Sequence, residues 1–210
     1  LFYYGIKFTD VILCQNSYQE INLKRKFSNK NVLKLYNPFD IPDSLPEFNC
    51  GEYVAWVGIF QYQKNIPALY KIASELPQIK FKIAGINQEN IDSESSAYID
   101  KLLKLDNVEF VGLLSREEIF SFLGTALCLL NTSRYEGFSN TFLEAMIVGT
   151  PIITCKGTDP DDIISKNNFG VVVDDYNLIP AQIFNMLQIQ RPDFRNRGLT
   201  YIRANHTPKI

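Results

Sequence analysis

Short apolar runs alternate with stretches of helical periodicity along most of this chain. Tyr53–Val57, Phe81–Ala84, Val108–Val111, Leu127–Leu130, Ile152–Thr154 and Val171–Val173 read as strands, the first three ending at Gly58, Gly85 and Gly112. Apolar residues at 66, 69, 72, 73 and 76 mark one face of a helix over Ile66–Leu76. The pattern predicts further helices over Ser96–Leu105, from a Ser115/Glu118 capping box to about Leu123, over Thr141–Val148, and near Pro180–Gln188 and Pro192–Arg203. Asn87–Ser96 is polar and reads as a loop. Strands that are apolar on both faces suit a parallel sheet covered by helices on both sides. Right-handed crossovers then give an α/β fold with a doubly wound, Rossmann-like sheet, whose ligands bind beyond the carboxyl ends of the strands.

A smaller unit precedes this pattern. Asp10–Cys14 is an apolar run, Ser17 and Glu20 have capping-box spacing for a helix through about Phe27, and Asn31–Tyr36 reads as a strand. Such a piece is too small for a core of its own. It reads as the tail of a domain whose front lies before residue 1. Pro38, Pro42 and Pro46 disfavour helix and mark a linker. The expected organisation is a domain tail over 1–37, a linker over 38–50, a Rossmann-like domain over 51–190 and a C-terminal helix over 191–210, with the chain cut at both ends.

Composition narrows the classes. Of 210 residues, 46% are hydrophobic and 21% charged, which excludes a wholly disordered chain. A net charge of −2 gives no bulk electrostatic footprint for nucleic acid. No run reaches the ~18 apolar residues of a spanning helix, and Leu1–Tyr4 lacks the marks of a signal peptide. Cys14, Cys50, Cys128 and Cys155 are far apart, with no CxxC or Cys/His cluster. They read as reduced thiols of a cytosolic protein, and no structural zinc is expected. The single histidine, His206, stands near the C-terminus, where a His-centred triad is not expected.

Two segments at strand ends carry candidate chemistry. In Gly58–Asn65, Gly58 permits a tight turn beneath a ligand. Lys64 stands just before a helix start, where a phosphate would also meet free N–H groups. The bland alternative is a solvated loop lysine. No GxGxxG or GxxxxGK[ST] motif is present. The second segment, Ser133–Met146, holds Glu136 and Glu144 eight residues apart. In one helix they would lie about 12 Å apart along the axis. Gly137, Ser139 and Asn140 instead argue for a loop that can double back and aim both carboxylates at one cleft. Two alternatives stay open: Glu144 serves only a Thr141/Glu144 capping box, and Glu136 is an exposed loop carboxylate.

Glu136-Gly137-Phe138-Ser139-Asn140-Thr141-Phe142-Leu143-Glu144-Ala145-Met146, followed by Gly149-Thr150-Pro151-Ile152-Ile153, closely resembles the E-x7-E segment of family 4 glycosyltransferases. Val57-Gly58 with Lys64-Asn65, Ala84-Gly85, Val111-Gly112-Leu113 and Phe169–Val173 agree in order and spacing. The resemblance covers about residues 9–205. It implies the GT-B fold, two Rossmann-like domains across a cleft, of which this chain holds the donor-binding, C-terminal half. It implies a retaining, metal-independent transferase that needs no cofactor and moves sugar from a UDP-, GDP- or ADP-linked donor to a glycan or lipid-linked acceptor. The setting implied is cell-surface polysaccharide or glycoconjugate synthesis, in the cytoplasm. A peripheral membrane contact would come through an N-terminal domain.

By the same resemblance Lys64 falls on the lysine of the donor diphosphate, Glu144 on the glutamate of the ribose hydroxyls, and Glu136 on the glutamate near the transferred sugar. Gly137, Phe138, Ser139, Asn140 and Thr141 fall on the loop that holds sugar and phosphates. Gly58, Gly85, Leu113 and Leu114 lie at strand ends that border the donor. Two features depart from the family pattern. Ile59 stands where many members have arginine, with Arg134 and Lys156 as candidate replacements. Lys156–Asp162 replaces a Gly-Gly-x-x-Glu turn. The rival readings are a catalytically silent sugar-nucleotide-binding domain and a sugar-nucleotide epimerase of the same architecture.

Overall fold

In the computed structural model, which describes residues 2–46, 51–86, 91–187 and 194–207, the six apolar runs form one parallel sheet. Its strands are β3 (Tyr53–Val57), β4 (Phe81–Ala84), β5 (Val108–Gly112), β6 (Ala126–Leu130), β7 (Ile152–Cys155) and β8 (Gly170–Val173), in the order β5-β4-β3-β6-β7-β8. Every pairing is parallel. The expected α/β, doubly wound fold holds.

Alternation along the strands divides the core. Val54 and Trp56 of β3 face one side with α3 (Ile66–Glu75), α4 (Ser93–Leu102) and α8 (Ile179–Met186). Tyr53 and Ala55 face the other with α5 (Arg116–Gly124), α6 (Asn140–Val148) and α9 (Phe194–Asn205). All five residues of β6 are buried, as befits a central strand. Each fully buried Leu, Ile or Phe contributes roughly 1.5–3 kcal/mol. The short α7 (Ile163–Lys166) precedes β8. A Cβ on Gly198 would fall on the Met146 carbonyl, so α9 crosses α6 with main chains in contact.

The first residues form a separate small layer: α1 (Phe2–Phe8), β1 (Val11–Cys14), α2 (Ser17–Lys26) and β2 (Asn31–Lys34), with β1 and β2 parallel. Ile12, Cys14 and Val32 point into its core, while Val11, Leu13, Leu33 and Leu35 are exposed. Asp161 fastens this unit to the large sheet: its carboxylate accepts from the Ser17 amide at 2.7 Å and the Lys34 ammonium at 3.0 Å. The linker is packed rather than loose. Phe39 is buried in the main core, Arg116 donates to the Asp40 carbonyl, and Arg195 donates to the Pro46 carbonyl.

Several sequence expectations need correction. Ser17 is not an N-cap; Asn16 caps α2 by accepting from the Gln19 amide, and Glu20 pairs with Lys24 instead. The predicted helix over Ser96–Leu105 begins earlier, at Ser93, because Asp92 caps it through the Ser95 amide. Residues 91–96 of the predicted polar loop therefore hold a cap and a first turn, while 87–90 lie outside the described residues. The Ser115/Glu118 capping box forms. Cys14, Cys128 and Cys155 are buried, and Cys50 lies outside the described residues.

Candidate functional site

The strand order reverses between β3 and β6, and the loops leaving these two strands face each other across a crevice. Main-chain contact sets its floor. The Gly58 amide donates to Ala84 at 3.0 Å and the Gly85 amide to Gly112 at 2.8 Å. A Cβ on Gly85 would fall on the Gly58 carbonyl, so no side chain fits there. Above these strand ends lies an apolar slot of about 250 Å³ lined by Val57, Gly58, Ile59, Ala84, Gly85, Ile86, Leu113, Leu114 and Ile119. It gathers four sequence-predicted residues: Gly58, Gly85, Leu113 and Leu114.

Lys64 closes a 3₁₀ turn over Tyr62–Lys64, and Asn65 follows in the left-handed region at φ 52°. Thr132 anchors this turn; its hydroxyl donates to the Lys64 carbonyl at 2.8 Å and accepts from the Trp56 indole at 3.0 Å. The Lys64 ammonium then reaches Glu136 Oε1 at 2.7 Å, with side chains only 16% and 7% exposed. The Ser133 hydroxyl donates to the same carboxylate oxygen at 2.6 Å. Glu136 is therefore not a loose surface carboxylate. Two residues that resemblance gives separate tasks form one buried, charge-assisted pair.

Ser139 stands at the N-cap of α6, yet no side chain caps this helix; the Ser139 and Thr141 hydroxyls bond to each other at 2.6 Å. The Thr141/Glu144 capping box does not form, which removes the purely structural role weighed for Glu144. Among the described residues the Asn140 and Thr141 amides have no acceptor, while the Phe142 amide bonds the Ser139 carbonyl at 3.1 Å, so the start of α6 is open toward an anion. Glu144 is half-buried one turn into α6. Among the described residues no group donates a hydrogen bond to its carboxylate. Burial pushes its pKa up, against a smaller opposing pull from Arg116.

The remaining sequence candidates, Gly137, Phe138 and Asn140, are held from the small N-terminal unit. Asn16 donates to the Gly137 carbonyl at 2.6 Å, and Asn37 donates to Asn140 Oδ1 at 2.7 Å and the Phe138 carbonyl at 3.4 Å. Sequence reasoning missed Asn16, Asn37, Thr132 and Ser133, because their tasks come from contacts between distant segments. It also missed His206. That ring is 2% exposed, bonds the Asn37 carbonyl through Nδ1 at 2.8 Å, and packs against Tyr36, Phe138 and Tyr201.

Burial holds the His206 pKa below its ordinary 6.5. The unfolded chain thus binds this proton first, so stability is present above pH 6.5 and lost as pH falls through the window below it. The unfolding free energy from urea titrations between pH 7 and pH 5 should fall by up to about 1.4 kcal/mol per pH unit. His206→Gln should flatten that slope. An unchanged slope in the variant would show that another group titrates.

Of the two candidates for the absent arginine, Arg134 lies against the turn that Lys64 closes, its amide donating to the Gln63 carbonyl at 2.8 Å and its Nε to the Tyr62 carbonyl at 3.1 Å. The Arg134 guanidinium pairs with Glu94 at 2.8 Å and covers the Tyr62 ring. Lys156 is exposed on the turn after β7. Ile59 is 46% exposed at the mouth of the slot. Larger hollows, of about 650 Å³ beside the linker and about 550 Å³ beside α3, contain none of the predicted site residues. Among the described residues no group of three or more His, Cys, Asp or Glu side chains could hold a metal ion, and no helix is long and apolar enough to cross a membrane.

Residues 40–184 match the family model described as glycosyl transferases group 1. Two curated proteins of Methanocaldococcus jannaschii are similar. The uncharacterized glycosyltransferase MJ1178 is 24% identical over 181 residues, which is 84% of this chain and 48% of that protein. The uncharacterized glycosyltransferase MJ1059 is 27% identical over 147 residues, 69% of this chain and 34% of that one. The chain thus spans about half or less of these relatives. Among solved structures, TarM superposes with a TM-score of 0.80 at 19% identity, over 98% of this chain and 43% of that one. Sucrose-phosphate synthase of Thermosynechococcus elongatus gives 0.77 at 19% identity, over 95% and 55%. A variant of S. aureus TarM in complex with fondaparinux, α-GlcNAc-glycerol and UDP gives 0.74 at 19% identity, over 94% and 41%.

Proposed function

Because the chain belongs to the group 1 glycosyl transferases, we propose that it is the donor-binding half of a retaining, metal-independent glycosyltransferase that takes a nucleotide sugar. One observation carries the reading: at the strand-order reversal the buried Lys64–Glu136 pair joins the loops that leave β3 and β6, and an apolar slot opens at the ends of β3 and β4. The slot takes the flat base between aliphatic walls. Glu144 accepts from the ribose hydroxyls. Lys64 turns from Glu136 to the diphosphate, and the first amides of α6 share that charge as the leaving group departs. Glu136, freed from Lys64, faces the transferred sugar. UDP in one TarM complex supports a nucleotide in this crevice. Retention follows the E-x7-E resemblance, and the anomer of the product decides it.

Residues 1–37 fit the tail of an acceptor-side domain, since Val11, Leu13, Leu33 and Leu35 present an apolar sheet face to solvent. The acceptor is then a glycan or lipid-linked sugar, with cytoplasmic chemistry in polysaccharide or glycoconjugate synthesis. A silent donor-binding domain is favoured by one observation: Ile59 offers no charge at the slot, and the guanidinium of Arg134 is paired with Glu94. Calorimetric titration of the chain with UDP, GDP and ADP is the test. Weak but saturable binding of at least one is expected; no heat and no competition at millimolar concentration would defeat the site.

A further inference from the structure

Asn16 is 5% exposed, and its amide is oriented by two partners. Oδ1 accepts from the Gln19 amide at 2.8 Å, which caps α2 and leaves Nδ2 to donate to the Gly137 carbonyl at 2.6 Å. Asn37 is fixed in the same way. Its Nδ2 faces the Phe138 carbonyl and Asn140 Oδ1, its Oδ1 accepts from Gln15 at 2.8 Å, and its main-chain carbonyl bonds His206. The carbonyls of Gly137 and Phe138 are thus drawn toward the small unit. A trans peptide places each C=O and the next N–H on opposite sides. Holding these two carbonyls therefore aims the Phe138 and Ser139 amides away from the small unit. Among the described residues neither amide has an acceptor. The result is an oriented pair of free N–H groups that runs into the open start of α6, an arrangement that favours an anion.

We propose that Asn16 and Asn37 are positioning residues for the donor: the small N-terminal unit sets the peptide planes that meet the anionic part of the nucleotide sugar. This rests on the donor reading above. The site is then shared between the two units rather than confined to the large sheet, and docking of residues 1–37 is part of donor affinity.

Asn16→Asp separates the tasks. The carboxylate still accepts from the Gln19 amide, so α2 keeps its cap, but it cannot donate to Gly137. Asn37→Ala removes the second donor from a different element. In both variants the amide order parameters of Phe138 and Ser139 should fall from the rigid value of about 0.85 toward 0.6 or below, with α2 and the sheet unchanged. Affinity for whichever of UDP, GDP or ADP the unaltered chain binds should drop about tenfold. Unchanged order parameters in both variants would overturn the proposal. So would a loosened loop with undiminished affinity. A loosened loop in a chain that binds none of the three nucleotides would bring down the donor reading while upholding the assignment of Asn16 and Asn37 to the loop.

Discussion

Replacing Glu136 by glutamine is expected to tighten the binding of a bare nucleoside diphosphate about tenfold and to weaken that of the matching nucleotide sugar. The Lys64 ammonium is already satisfied by Glu136 at 2.7 Å. A diphosphate must displace that carboxylate, and hydrogen bonds to charged groups contribute about 1.5–3 kcal/mol. Glutamine releases the lysine but offers the sugar a poorer acceptor. Lys64→Met should weaken the binding of both ligands and also strike stability. It strands a carboxylate whose side chain is 7% exposed, and removing one partner of a buried pair costs about 3–5 kcal/mol. The double variant should recover much of that loss, because neither charge is then left alone. Urea unfolding of the four proteins, with calorimetry on the same samples, measures both effects. Additive stabilities across the cycle would show that the pair is not coupled.

The second large effect concerns Glu144. Glu144→Gln should leave stability equal or slightly raised and cut nucleotide affinity about tenfold or more. Burial raises the folded-state pKa of this carboxyl, so the ionised form is penalised by folding and stability rises as pH falls through that pKa. The amide removes the penalty together with its pH dependence. It also removes the charge of an acceptor that no donor among the described residues satisfies. A variant that melts like the original and binds every nucleotide equally well would exclude Glu144 from the ligand site.

The fold was legible because every element of the large sheet is written locally. Tyr53–Val57 and Leu127–Leu130 are apolar on both faces, and Gly58 and Gly85 punctuate the strand ends. Helix starts were read less well. Ser17 and Thr141 both have capping-box spacing, yet Asn16 caps α2 and no side chain caps α6. Spacing shows only which bonds are available; competing partners decide which form, as Lys24 does for Glu20. At the site, Lys64, Glu136 and Glu144 could be named from the sequence, but not the bond between the first two. Ion pairs across 72 residues leave no mark in periodicity. Asn16, Asn37 and His206 were invisible for the same reason, since each works on a segment more than a hundred residues away or at the opposite end of the chain.

The contact between Gly85 and the Gly58 carbonyl reaches beyond the turn it shapes. It makes the floor of the apolar slot out of backbone, which mutation of side chains cannot reshape without prising β3 and β4 apart. The walls are different. Ile59, Ile86 and Leu113 are 46%, 45% and 72% exposed, so the sheet would stand without them. Evolution thus inherits a fixed shelf with exchangeable sides, and a descendant could reshape the slot by altering three aliphatic residues that the fold does not need.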